Sequence, residues 1–364
     1  MPAGLYIHIP FCVRRCAYCD FFSTTLLERR EAYVGAVLKE IEKRREEAGA
    51  IRTIYIGGGT PSTLEASHIR RIIEAIGAPD ATEVTMELNP GDASAEYLKA
   101  IREAGVNRLS IGIQSFQDEL LRLIGRRHNA AQAIKAVRMA QEAGFENLSI
   151  DLMYALPTQT MAQWEEDIET ALGLKVQHIS SYGLMYEDGT AMTKRLEKGE
   201  IEAVDEETEN AMYDYLCRRL KEAGFVHYEV SNFALPGYEA QHNSSYWDGT
   251  PYIGIGAGAH SYLPPVRSWN PSDLNAYIKG IEDGSLVRES ETLSEKDMYN
   301  ERIMLGLRTR KGVPLSDVDV RNGHDMVAGL DRFSGLLRLT EDGRLVATQE
   351  GLHVLNRIIE ELMI

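Results

Sequence analysis

Residues 5–22 read LYIHIPFCVRRCAYCDFF, and the organisation of the chain follows from them. Leu5 to Ile9 is a short apolar run of the kind that forms a strand, and Pro10, which lacks a backbone donor, ends it. Cys12, Cys16 and Cys19 come next, three of the chain's four cysteines, in a C-x3-C-x2-C loop. Thiolates are soft ligands, suited to iron–sulfur clusters or zinc. Their number is informative: a closed structural zinc site takes four ligands and a ferredoxin-type cluster four cysteines. A [4Fe–4S] cluster held by three leaves one iron open to a small molecule. Three cysteines this close do not pair off as disulfides, and no secretory signal precedes them. Arg14, Arg15 and Asp20 make the loop too polar for a patch of core cysteines. A zinc site completed by His8 or a distant histidine is the alternative that stays open.

The chain has 364 residues, of which 44% are hydrophobic and 26% charged, which suits one large domain and a smaller one. A formal charge of −16 argues against broad nucleic-acid binding, which needs a basic face. No apolar run reaches the roughly 18 residues of a membrane span, and a cytoplasmic protein is expected. A repeated phrase, Glu-Ala-Gly at 47–49, 103–105, 142–144 and 222–224, ends one helical pattern after another. Strand-like runs follow each time. Strands are predicted near 4–9, 52–57, 82–88, 107–113, 147–153 and 177–184, with helices near 28–48, 64–76, 94–104, 130–143 and 161–172. Six successive βα units imply a parallel sheet, in an open or closed barrel rather than a Rossmann sheet. Beyond 205 a helix (205–223) and a strand (226–232) extend the barrel side, and 236–270 is irregular and rich in Gly, Pro and aromatics. A helix over 294–309 opens with Ser294 as N-cap and Asp297 three residues on. Residues 330–364 read as helix, hairpin around Asp342-Gly343 and terminal helix. The domains are therefore expected at 1–290 and 291–364.

The cysteine loop, with Tyr18 before its last cysteine, resembles the cluster loop of radical S-adenosylmethionine enzymes. The flanking words YIHIPFC and YCDF are similar to the oxygen-independent coproporphyrinogen III oxidase family, and within it to the haem-chaperone branch called HemW. The resemblance runs from residue 5 to about 360. It implies an α/β fold, a partial (β/α)6 TIM-like barrel of the radical SAM type with a small C-terminal helical, winged-helix-like domain. It also implies a [4Fe–4S] cluster on Cys12, Cys16 and Cys19, with S-adenosylmethionine on the open iron.

In such barrels chemistry sits at the C-terminal strand ends, and the polar residues fall there. Gly57-Gly58-Gly59-Thr60-Pro61 follows the second strand. Alone it reads as a tight turn or as a place where backbone approaches a ligand. By resemblance Gly58, Gly59 and Thr60 meet the amino group of S-adenosylmethionine. Glu87, Gln114, Arg126 and Asp151 line the rest of that site, with Tyr6 in the same set and Tyr18 packed on the adenine. The second distinctive word is His242-Asn243-Ser244-Ser245-Tyr246-Trp247. A loop histidine among aromatics is usually packing. The word resembles the haem-binding signature of the chaperone branch, which makes His242 the candidate haem ligand. YEVSNF (228–233) and GIGAGAHS (254–261) match family words without a residue-level role, and Cys217 reads as a buried small hydrophobe.

The resemblance leaves two functions. One is a haem chaperone that binds haem, cluster and S-adenosylmethionine and delivers haem to acceptor proteins, respiratory cytochromes among them. It implies visits to the membrane face without a span and a cluster-dependent homodimer. The other is the oxidase, an enzyme that decarboxylates coproporphyrinogen III. The oxidases carry a further cysteine two residues after the third, where this chain has Phe21. That departure, and the H-N-x-x-Y-W word, favour the chaperone.

Overall fold

The computed structural model describes residues 3–318 and 332–364. Six parallel strands lie side by side in chain order: β1 (Ala3–Ile9), β2 (Ile51–Gly58), β3 (Glu83–Leu88), β4 (Arg108–Gln114), β5 (Asn147–Tyr154) and β6 (His178–Gly183). Each lies within one residue of its predicted bounds at both ends. The connecting helices are α1 (Arg30–Arg44), α2 (Ala66–Ile76), α3 (Ala95–Glu103), α4 (Asp118–Leu123), α5 (Ala130–Glu142) and α6 (Met161–Gly173). Then come α7 (Ala191–Glu197) and α8 (Glu206–Glu222). Gly49, Gly105, Gly144 and Gly224 have φ of 62°, 110°, 86° and 87°, the left-handed geometry that releases the chain toward the next strand.

The strands alternate with a clean period of two. One face carries Leu5, Ile7, Ile9, Ile54, Ile56, Val84, Met86, Leu109, Ile111, Leu148 and Ile150, all buried against the helices in one core. The other carries Tyr6, Tyr55, Glu87, Ser110, Asp151 and Ser180, which the register brings level in steps: Tyr6 opposite Tyr55, Glu87 opposite Ser110, Asp151 opposite Ser180. A barrel whose interior is a packed core has apolar side chains on that face. Here the face is polar, so it encloses a site.

Around these six parallel strands the sheet extends to twelve among the described residues, and its two edges do not pair. The strand expected over 226–232 is two short antiparallel ones, β7 (Val226–Glu229) and β8 (Asn232–Ala234), beside β6. The stretch expected to be irregular holds α9 (Gln241–Trp247), β9 (Tyr252–Ile255), β10 (His260–Leu263) and β11 (Val266–Trp269). β9 pairs parallel with β1, at the opposite side from β6, and β10, β11 and β12 (Glu289–Thr292) continue from it antiparallel. α10 (Leu274–Asp283) packs on α1. The word GIGAGAHS is the β9–β10 connection. Buried Glu40 of α1 accepts from Gly256 N–H (2.9 Å), Asn270 Nδ2 (2.9 Å) and Tyr277 OH (2.7 Å) and pairs with Arg44, which donates to the Gly254 carbonyl (2.7 Å). Its glycines permit close packing and stand apart from the site.

The gap between the edges is spanned by α11 (Glu295–Gly306), whose N-terminus is the expected Ser294–Asp297 capping box. Glu301 of α11 pairs with Arg267 of β11 on one side. On the other, the segment just after α11 bonds the β7 edge: Val230 N–H to the Arg308 carbonyl (2.9 Å) and Arg310 N–H to the Tyr228 carbonyl (3.0 Å). α9 packs between α11 and β2. The remaining C-terminal elements are a three-stranded sheet of β13 (Val313–Pro314), β14 (Leu337–Leu339) and β15 (Arg344–Ala347), with α12 (Gln349–His353) and α13 (Leu355–Leu362). They share a second core of Ile303, Leu307, Val313, Phe333, Leu345, Leu355, Ile358 and Ile359. The expectation of a helix opening the 330–364 stretch falls partly outside the described residues, and 332–336 are turns around a bridge at Ser334. No helix among the described residues is long and apolar enough to cross a membrane.

Candidate cofactor site

One cavity of about 540 Å³ opens at the C-terminal ends of the strands. Its lining includes Cys12, Cys16, Cys19, Tyr6, Tyr18, Gly58, Gly59, Thr60, Glu87, Gln114, Arg126 and Asp151, so twelve of the thirteen residues singled out from sequence meet there. His242 does not line it; its neighbour Asn243 does.

The cysteine loop is held by backbone from several sides. Cys12 N–H donates to the Thr24 carbonyl (2.8 Å) and Thr24 N–H to the Pro10 carbonyl (2.7 Å). Ala17 N–H reaches the Ile124 carbonyl (3.0 Å), and Arg14 bonds the carbonyls of Gly125 (2.9 Å) and Arg126 (3.0 Å). Cys12 Sγ lies 3.3 Å from Thr60 Oγ1, and Arg126 Nη1 lies 3.5 Å from Cys16 Sγ. Burial pushes the Cys12 and Cys19 thiols up, Cys19 to about 11, so only a bound cation would keep them as thiolates near neutral pH. Among the described residues no three His, Cys, Asp or Glu side chains are grouped to hold one ion. A cluster asks for less convergence, because each thiol meets a different iron.

Around the thiols the strand ends supply the rest. Gly58 has φ of 117°, and its N–H donates to Glu87 Oε2 (3.0 Å). A Cβ at Gly59 would stand 2.8 Å from the Pro10 carbonyl, and one at Gly57 would meet the Tyr55 ring at 2.6 Å, so only glycines fit this turn. Glu87 also accepts from Tyr55 OH (2.9 Å). Burial still pushes its carboxyl up to about 7, which primes it to pair with a cationic ligand. Asp151, likewise raised by burial, accepts from Ser110 Oγ (3.0 Å). Gln114 is in the left-handed region, φ 74°, at a register irregularity between β4 and β5, which lets Arg126 donate to the Gly112 carbonyl. Arg126 Nε is buried with no partner. Three thiols on one loop, a glycine cradle, a buried carboxylate and an unsatisfied guanidinium nitrogen fit a cluster and an amino-acid-bearing cationic cofactor.

His242 sits behind this site. It is fully buried on α9, a helix where sequence suggested an irregular loop. Its Nδ1 lies 2.8 Å from Thr53 Oγ1 and its Nε2 2.8 Å from Tyr246 OH, and its ring stacks on Tyr55 (5.2 Å, 25°). As placed, it offers a metal no free nitrogen. Residues missed from sequence are Tyr55, which links Glu87 to His242, and Arg108, Ser110 and Ser180 deeper in the cavity. The signal for them was the alternation of polar with apolar positions along each strand.

Comparison with known proteins agrees with this site. Residues 6–171 match the Radical SAM superfamily and residues 293–355 the HemN C-terminal domain. The chain is 42% identical to the heme chaperone HemW of Lactococcus lactis, over 86% of this chain and 83% of that protein. It is 34% identical to the heme chaperone HemW of Mycobacterium tuberculosis, over 100% of this chain and 95% of that one. In fold it is similar to coproporphyrinogen III oxidase (HemN) from Escherichia coli, a radical SAM enzyme. The TM-score is 0.84 over 100% of this chain and 90% of that one, at 22% identity.

Proposed function

Because the chain belongs to the HemW family within the radical SAM superfamily, we propose that it is a haem chaperone. In this reading it binds haem beside a [4Fe–4S] cluster and S-adenosylmethionine and hands haem to acceptor proteins, respiratory cytochromes among them. The observation that carries the reading is the likeness to curated haem chaperones along nearly the whole chain. Two features of the cavity support it. Phe21 stands where the oxidase signature has its further cysteine, and it is 64% exposed at the rim. Met185, 68% exposed, and Tyr182 complete an apolar lip on which a flat macrocycle could lie.

Cys12, Cys16 and Cys19 would hold the cluster, which supplies an iron with an open coordination position. Thr60 and the Gly58–Gly59 backbone would receive the cofactor's amino group, and Glu87 would carry the negative charge that balances it. Arg126 would take its carboxylate in a fork. Gln114 and Asp151 would bond the ribose, and Tyr6 and Tyr18 would wall the adenosine in. Domains at 1–290 and 291–364, a cluster-dependent homodimer and peripheral membrane contact belong to the same proposal.

Anaerobic reconstitution of the full chain should give about four irons and four sulfides per monomer. Haemin titration should then produce a Soret band, and coproporphyrinogen III with S-adenosylmethionine should remain unconverted. Stoichiometric zinc without iron, or no haemin binding, defeats the reading. Turnover to protoporphyrinogen IX would assign the protein to the oxidases.

A further inference from the structure

The cofactor residues leave the floor of the cavity unexplained. Arg108, the first residue of β4, lines that floor and is only 1% exposed. It makes no side-chain hydrogen bond or ion pair with any described residue, and its Nε is buried with no partner. Its register partner on β3, Thr85, is fully buried, and the Thr85 Oγ1 has no partner either. Two neighbouring polar side chains are thus buried without partners, and the cationic one lines the cavity. Buried polar groups in proteins are almost always hydrogen-bonded, and an unpaired buried charge is strongly unfavourable.

The buried arginine of α1 follows that rule. Arg44, also buried, bonds Glu40, Glu47, the Gly254 carbonyl and Ser261. Arg108 has no such set. The nearby carboxylates are committed elsewhere: Glu87 to Tyr55 and Gly58, Asp151 to Ser110. The imidazoles closest to its charge, His178 and His242, are occupied by Ser149 and Tyr228, and by Thr53 and Tyr246. Asp151 feels the charge of the guanidinium, but no described side chain hydrogen-bonds or ion-pairs with it. A guanidinium placed in this way has donors free for an anionic ligand that enters the cavity.

We propose that the cavity floor is a carboxylate subsite built on Arg108, with Asn243, Ser110 and Ser180 around it, and that it receives a propionate of a tetrapyrrole. The choice of tetrapyrrole rests on the haem-chaperone reading. The apolar lip of Phe21, Tyr182 and Met185 would hold the ring, and the floor would read the acid it carries. Arg126, beside Cys16, remains for the cofactor's own carboxylate.

The experiment titrates the full-length protein with haemin, haemin dimethyl ester and S-adenosylmethionine, in wild type, Arg108→Met and Arg108→Lys. Wild type should bind the diacid roughly tenfold or more tightly than the diester. Arg108→Met should bind the two alike, and Arg108→Lys should keep part of the preference. Ligand-free Arg108→Met should also melt a few degrees higher than wild type, because an unpaired buried charge is gone; a structural arginine would give a lower melting temperature. Equal wild-type affinity for diacid and diester overturns the subsite while haem carriage stands. So does a preference that survives in Arg108→Met, or a loss confined to S-adenosylmethionine. If Arg108→Met does not fold, the wild-type ester comparison and Arg108→Lys still decide. Absence of any haemin binding by wild type overturns the chaperone reading and this subsite together.

Discussion

Tyr55 connects the two motifs that mark this chain. Its hydroxyl donates to Glu87, and its ring stacks on Tyr6 (6.1 Å, 27°) and on His242. His242 is therefore a pin between β2 and α9. Burial, helped by the charge of Arg108, pushes its imidazole down to about 3 from an ordinary 6.5. Between those values the unfolded chain takes up a proton that the native state refuses. The stability it secures is whole above pH 6.5 and is lost progressively as pH falls toward 3. His242→Ala should cost about 2–4 kcal/mol at neutral pH and should flatten that part of the pH dependence, as read by urea unfolding across the window. An unchanged Soret maximum in a folded His242→Ala protein would assign the haem ligand elsewhere. Glu87 was legible in the sequence because a carboxylate that closes an apolar strand at a barrel mouth is costly to bury unless it meets a ligand or a cation. Tyr55 was not, because an aromatic in a strand reads as core until its face is known. His242 was found by its word, but burial and two ring partners are properties of a fold, not of a hexapeptide.

The same contrast holds for whole strands and helices. The six parallel strands and their helices were readable because apolar alternation, glycine stops and strand runs repeat at regular intervals. The 236–270 stretch concealed α9 and three strands. α9 begins at Ala240 with no side-chain cap; the acceptor for the Gln241 and His242 N–H groups is Glu83, at 2.8 and 2.9 Å, far away in sequence. The β9–β10 turn is specified by close approach rather than by periodicity. A Cβ at Gly254 would stand 2.0 Å from the His260 carbonyl oxygen. Gly254→Ala should therefore destabilise the protein by about 3 kcal/mol or more, measured as a lower urea midpoint, and should loosen β9 from β1 beside Tyr6.

For the molecule as a whole, the decisive feature is how the sheet ends. β12 presents Glu289, Ser290, Glu291 and Thr292, all exposed, an edge of charged and polar side chains, Glu291 paired with Arg267, that discourages further pairing. β7 is covered by the segment after α11, joined by the Glu229–Thr309 bridge, and His353 of α12 bonds Asn210 and Asp214 of α8 at 2.9 Å each. None of this was legible from local pattern, because the partners lie about 80 to 140 residues apart, a distance set only by the finished fold. Amide hydrogen exchange should show Val230 and Arg310 losing protection well before β1 to β5; equal protection would mean that the junction is as firm as the sheet. Between β7 and β11 the circumference is completed by α11, one ion pair and a few main-chain bonds, whereas β1 and β2 are matched from Ala3 to Ile9. Dilation of the barrel is therefore anisotropic. The girth can grow at that one buckle, while the wall bearing the thiols and the glycine turn keeps its shape.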